Sequence, residues 1–147
     1  MPRAVNEEQT VYEFSCNIKL RINDINFAGH VGNSQMIAIA HDARISLLKD
    51  LRLLEQNLGD GKTGIVIADI TANFKAEIFL RDTVTVKSHI GETGKSGFRI
   101  FHRVESNGAV AAFVETGIVA FDYVQRKSTQ IPGEFFEALN KYLKGRS

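Results

Sequence analysis

The spacing of apolar and polar positions changes period along the chain and divides it into elements. Residues 11–22, VYEFSCNIKLRI, alternate in places and read as a strand. Residues 23–33, NDINFAGHVGN, hold two glycines and three asparagines and read as a loop. Residues 34–56 lack Pro and Gly, and Ile37, Ala40, Arg44, Leu47, Leu48, Leu51 and Leu54 follow at three- and four-residue steps. That period predicts an amphipathic helix of about 23 residues, ended by the glycines of LGDGKTG at 58–64. The period then shortens. Residues 65–77, 82–91, 97–106 and 109–123 are rich in Val, Ile, Phe and Thr and predict four strands. Asn107-Gly108 marks a tight hairpin between the last two. In the run 109–121, Val110, Ala112, Val114 and Ile118 alternate with Ala111, Phe113, Val119 and Phe121. A strand apolar on both faces is expected at the centre of a sheet. Pro132 opens a short final helix, PGEFFEALNKYL.

The order strand, long helix, four strands, short helix predicts an α+β architecture in which an antiparallel sheet meets one long helix. One helix cannot cover a whole sheet. An exposed face or edge strand is therefore expected, and with it a homodimer or homotetramer.

Composition narrows the functional classes. The 147 residues suit a single domain, 1–147, with 1–10 as a polar N-terminal tail. The 18 basic and 17 acidic side chains nearly cancel, leaving no strong field to draw nucleic acid or an anionic membrane. One cysteine, Cys16, leaves no intrachain disulfide to form and reads as a small apolar strand residue. The N-terminus MPRAVNEEQT lacks an apolar core for a signal peptide, and no apolar run reaches membrane-spanning length. A cytoplasmic location is the expectation. No metal and no cofactor are implied. GETGKS at 91–96 imitates part of a phosphate loop, but His89 stands where the first glycine would be, and a strand follows instead of a helix. It reads as a hairpin turn.

The chemistry concentrates in residues 21–44, RINDINFAGHVGNSQMIAIAHDAR. Arg21, Asp24, Gly29, His30, Val31, Asn33, Ala43 and Arg44 stand at the spacing typical of one branch of the hot-dog superfamily. On these residues the chain resembles the 4-hydroxybenzoyl-CoA thioesterase-like branch. The resemblance implies a five-stranded antiparallel sheet wrapped around one long central helix, with a short C-terminal helix. It also implies hydrolysis of acyl-CoA-like thioesters, with an acyl-CoA or acyl-carrier-protein thioester as partner. Three positions depart from the pattern: Asn26 replaces the usual catalytic carboxylate, Gly32 the first Asn of a pair, and His41 the helix glutamate. A second branch, which includes phenylacetyl-CoA-type thioesterases, carries Asn-x-x-Gly in this loop and an acid on the helix. Asn26-Phe27-Ala28-Gly29 is similar to that loop, and His41 falls at the position of the acid.

A carboxamide at 26 can hydrogen-bond but cannot take a proton or attack a carbonyl. The resemblance then implies that Asn26 orients a water or polarises the thioester and that His41 removes the proton. His30 is the third catalytic candidate or else a loop-packing residue that hydrogen-bonds backbone; Gly29, Val31 and Asn33 are expected to bind substrate, with backbone N–H groups near Gly29 facing the carbonyl oxygen. At about 100° per residue, Ile37 and Ile45 lie about 40° to either side of His41, placing it at the edge of the apolar face, as either a hydrogen-bonded structural residue or a site residue. Asp42 is expected to face solvent or a partner. Asp24 reads as structural, pairing with Arg21 or capping a turn. Phe74 and Phe79 read as core. Without the carboxylate at 26, a non-catalytic acyl-CoA or acyl-carrier-protein binding protein is the alternative. A hot-dog hydratase would need an Asp/His or Glu/His pair in another loop pattern, which this chain lacks.

Overall fold

The computed structural model describes residue 6 and residues 8–146. Its strands are β1 (Phe14–Ile18), β2 (Thr63–Phe74), β3 (Val84–Thr93), β4 (Gly97–Ser106), β5 (Ala109–Asp122) and β6 (Lys127–Ser128). Its helices are α1 (Asn33–Asp50) and α2 (Gly133–Gly145). All pairings are antiparallel, in the order β1-β3-β4-β5-β2, with the two-residue β6 added to β5. The expected five strands are present, and β6 is a short addition that the sequence pattern did not announce. Asn107 and Gly108 both have positive φ, 52° and 86°, as the tight β4–β5 turn requires. GETGKS forms the β3–β4 connection, where Gly94 N–H donates to Gly97 O at 2.8 Å. Of the expected tail, residues 1–5 and 7 lie outside the described residues. Asn6 is only 7% exposed and donates to the carbonyls of Thr71 and Phe113.

Helix α1 ends at Asp50 rather than continuing to residue 56. Arg52 adopts a left-handed conformation with φ 60°. Arg52 N–H then bonds Lys49 O and Leu53 N–H reaches back to Leu48 O, at 2.9 and 2.8 Å. That pair of bonds closes a helix end normally made by glycine. The apolar spacing ran on because Leu53 turns back into the core beside Leu48. Arg52→Gly should therefore raise stability by up to about 1 kcal/mol, because an L-residue is strained at this φ. Urea unfolding checks this, with a higher midpoint expected at unchanged slope.

The core lies between α1 and one face of the sheet, in two clusters. Leu47, Leu48, Ile100 and Ile118 belong to one, joined by Phe135 of α2. Met36, Ala40, Val86, Val104 and Val114 belong to the other. Between them runs a buried polar seam of Arg44, Ser88, His102 and Thr116. His102 Nδ1 lies 2.7 Å from Ser88 Oγ, and its Nε2 has no hydrogen-bond partner among the described residues. Burial, with the charge of Arg44 adding to it, pushes the imidazole pKa down to about 3.

The sheet is not fully covered. Ile67, Ile70 and Phe74 of β2 pair with Ile118, Thr116 and Ala112, which are buried, so they share the helix side of the sheet. All three are nonetheless exposed, because α1 lies over the other strands and leaves this side of β2 open. Phe74 and Phe79 are therefore not core residues. The helix flank nearest β2 carries Ile37, His41 and Ile45, and Ile45 is exposed as well. Among the described residues, no helix is long and apolar enough to cross a membrane.

Candidate active site

The loop before α1 is held by its own hydrogen bonds, and they decide which groups remain available. Asp24 caps a 3-10 turn at Ile22–Asp24 by accepting Arg21 N–H at 2.8 Å, the structural role expected for it. Asn26 closes a second turn. Its Oδ1 accepts Ala28 N–H at 3.0 Å and His30 N–H at 3.4 Å, while its backbone exchanges bonds with Gly29 and His30. These bonds fix the amide orientation and leave Nδ2–H, beside Gly32, as the group that can reach a ligand. Asn26 can thus donate to a carbonyl, but its own oxygen is already used.

Gly29 has φ 86°, which explains the glycine, and its N–H donates to Asn26 O at 3.0 Å. Val31 N–H donates to Ile78 O at 2.8 Å, and the Val31 side chain is buried in the core. Gly32 N–H reaches Asp24 O at 3.3 Å. The backbone N–H groups of Gly29, Val31 and Gly32 are therefore already paired within the protein. Helix α1 starts after Gly32 with no side-chain cap. The N–H groups of Asn33, Ser34 and Gln35 have no partner among the described residues, as the first turn of an uncapped helix dictates. Their positive end of the helix dipole favours a developing oxyanion. Ser34 becomes a candidate only in the structure: Asn and Ser are favoured N-caps, so Gly-Asn-Ser in the sequence does not announce a bare helix start.

A cleft of about 250 Å³ opens beside this helix start, lined by His30, Val31, Asn33, Met36, Phe74, Lys75, Ala76 and Glu77. His30 is partly buried there. Its Nδ1 lies 3.1 Å from Val31 O and its Nε2 3.8 Å from Glu77 Oε1. A larger cavity of about 560 Å³ lies at the other end of α1, against α2, far from this loop. Cys16 lies on β1, away from β2, and burial raises its thiol above the ordinary value, which suits no nucleophile.

His41 is not on the core face. The buried face of α1 runs through Met36, Ala40, Ala43, Arg44 and Leu47, so His41 falls on the flank, with its side chain 49% exposed. It is held by Glu55: Nε2 lies 3.0 Å from Oε1, while Arg44 Nε donates to Oε2 at 2.8 Å. Burial acts to raise the Glu55 carboxyl, but the bonds from His41 and Arg44 outweigh it and hold it below its usual value. Glu55 carries no motif; its part became visible only once the chain after α1 turned back. Eight residues separate Asn33 from His41, about 12 Å along a helix. Within one chain the helix start and His41 are therefore not brought together.

The architecture is that of the hot-dog fold. Residues 20–139 match the family described as the thioesterase-like superfamily, and the chain belongs to that family. Its structure is similar to a Thermus thermophilus thioesterase complexed with coenzyme A and Zn, with TM-score 0.77 and 22% identity over 91% of this chain and 96% of that one. It is also similar to a DHNA-CoA thioesterase from Staphylococcus aureus, with TM-score 0.78 and 16% identity over 88% and 90%. A third is a 1,4-dihydroxy-2-naphthoyl-CoA thioesterase from Synechocystis, with TM-score 0.77 and 21% identity over 86% and 94%. No protein of curated function matches the chain by sequence.

Proposed function

We propose that the protein hydrolyses acyl-CoA-like thioesters, at sites shared by two copies of the chain. The observation that carries this reading is the row of unpartnered N–H groups at the start of α1, whose first residue, Asn33, lines a cleft that reaches Phe74 at the uncovered apolar face of β2. The thioester carbonyl oxygen sits against Asn33 and Ser34 N–H, and Asn26 Nδ2–H supports it. The acyl group lies along Phe74, Ile70 and Ile67. His41 of a second copy removes a proton from water, and the resulting hydroxide attacks the carbonyl carbon. The tetrahedral intermediate collapses, the C–S bond breaks, and the leaving sulfur takes the proton back from the imidazolium. Two copies are required because His41 lies about 12 Å from the helix start of its own chain. The open edge of β2 and the exposed Ile45, Ile67, Ile70 and Phe74 supply a surface for such pairing.

Short, long and aromatic acyl-CoAs should be offered in turn, with free thiol and bound ligand both measured. Thiol release that saturates with substrate is expected for at least one class. Stoichiometric binding with no release would instead identify a non-catalytic acyl-CoA binding protein.

A further inference from the structure

Glu55 is fixed from several directions. Its carbonyl accepts Ile65 N–H of β2 at 2.8 Å, and its neighbour Leu54 exchanges two 3.0 Å backbone bonds with Asn57. Its carboxylate is divided between Arg44 and His41. Arg44 is 6% exposed, so Glu55 cannot swing away without leaving a buried guanidinium unpaired. A carboxylate accepts hydrogen bonds and donates none. Contact at Nε2 therefore places the ring proton on Nε2, and in the neutral imidazole the lone pair is then on Nδ1. Nδ1 has no hydrogen-bond partner among the described residues.

We propose that Glu55 is a positioning residue for His41, holding the ring as the Nε2–H tautomer so that Nδ1 receives the proton of the attacking water. This consequence rests on the thioesterase reading; the tautomer itself does not. On receiving the proton the ring becomes imidazolium, and the Glu55 charge offsets the new positive charge at Nε2. Returning the proton from Nδ1 to the departing sulfur restores the neutral ring. Arg44 keeps Glu55 ionised and aimed, so the chain of contacts runs from the buried seam to the helix flank.

Two readouts test it. Nitrogen NMR of the neutral His41 ring should show Nε2 as the protonated nitrogen and Nδ1 as the bare one. In Glu55→Gln the two forms should mix, because one amide oxygen cannot serve both Arg44 and His41. A wild-type ring protonated on Nδ1 overturns the proposal. In kinetics, Glu55→Gln should lower kcat about tenfold or more, with KM changed by less than about twofold. Arg44→Met/Glu55→Ala, which removes the buried charge together with its partner and leaves no acceptor for His41, should show at least the same loss if folding is not the cause. In a His41→Ala background, Glu55→Gln should cost nothing further. An equal loss in that background overturns the proposal, since Glu55 would then act on the fold alone. Full turnover in His41→Ala overturns the catalytic use of the ring, whereas the nitrogen signals report the hold of Glu55 directly.

Discussion

Asn33→Pro and His41→Ala should each lower acyl-CoA turnover by about 10²-fold, for different reasons. Asn33 is the first residue of α1, where proline is tolerated because its missing N–H has no helical partner. Gly32 before it has φ −71° and ψ 163°, the extended conformation that a residue preceding proline prefers. The substitution therefore deletes a donor of the proposed oxyanion site without breaking the helix. Asn33→Ala keeps the N–H and should lose far less. His41→Ala removes the proton acceptor and leaves the donors intact. His41 is half exposed, so its loss should change stability little. Steady-state kinetics with thermal melts separates the two causes from misfolding. Asn26→Asp is the companion. One carboxylate oxygen can still accept Ala28 and Val31's neighbour His30 N–H, but the other replaces a donor with an acceptor. Turnover should fall; a large gain would mean that the missing carboxylate limits the natural protein.

Stability should fall as pH drops below about 6.5, by about 1.4 kcal/mol per unit, because of His102. The imidazole is buried, its pKa is pushed down to about 3, and Arg44 opposes its protonation. The folded chain thus binds fewer protons at this position than the unfolded chain does. Stability is complete above the unfolded value near 6.5 and is lost progressively toward 3. Glu55, Asp60, Asp69, Asp82 and Asp122 are also held below their ordinary values. Their contribution fades only below about pH 4, the unfolded carboxylate range. Urea unfolding between pH 7 and 5 measures this slope, and comparison with a variant assigns it. His102→Gln, which can keep a bond to Ser88 but cannot titrate, should flatten the slope in that window even if its stability at pH 7 is lower. An unchanged slope in the variant would remove His102 as the cause.

Local rules carried the element order because each element has its own period and punctuation. Asn107-Gly108 and the β-rich runs 97–106 and 109–123 are complete local signals, and β4 and β5 lie close to them. The end of α1 was not local: Leu51 and Leu54 continue the spacing, but Arg52 reverses the chain and no glycine marks it. The loop of the candidate site was legible as a unit, since Asn26, Gly29 and His30 do form one hydrogen-bonded turn. Which N–H groups remain available was not legible, because Gly29 N–H is taken by Asn26 O and Val31 N–H by the distant Ile78 O. The angular argument for His41 failed for a similar reason. Ile37 and Ile45 look like core in a single helix, yet Ile37 is only partly buried and Ile45 is exposed, on the flank opposite the one that Ala38, Asp42 and Ser46 turn to β1. Apolar spacing reports burial in the working assembly, and one chain is only part of the proposed assembly.

The central claim is that each thioester site joins the helix start of one copy to His41 of another. Mixing Asn33→Pro and His41→Ala chains, after dissociation and reassociation in equal amounts, tests it most directly. Half of the pairs would be hybrids, each with one intact site, so activity should recover to about a quarter of wild type. Activity no higher than the average of the two parents would contradict the shared site.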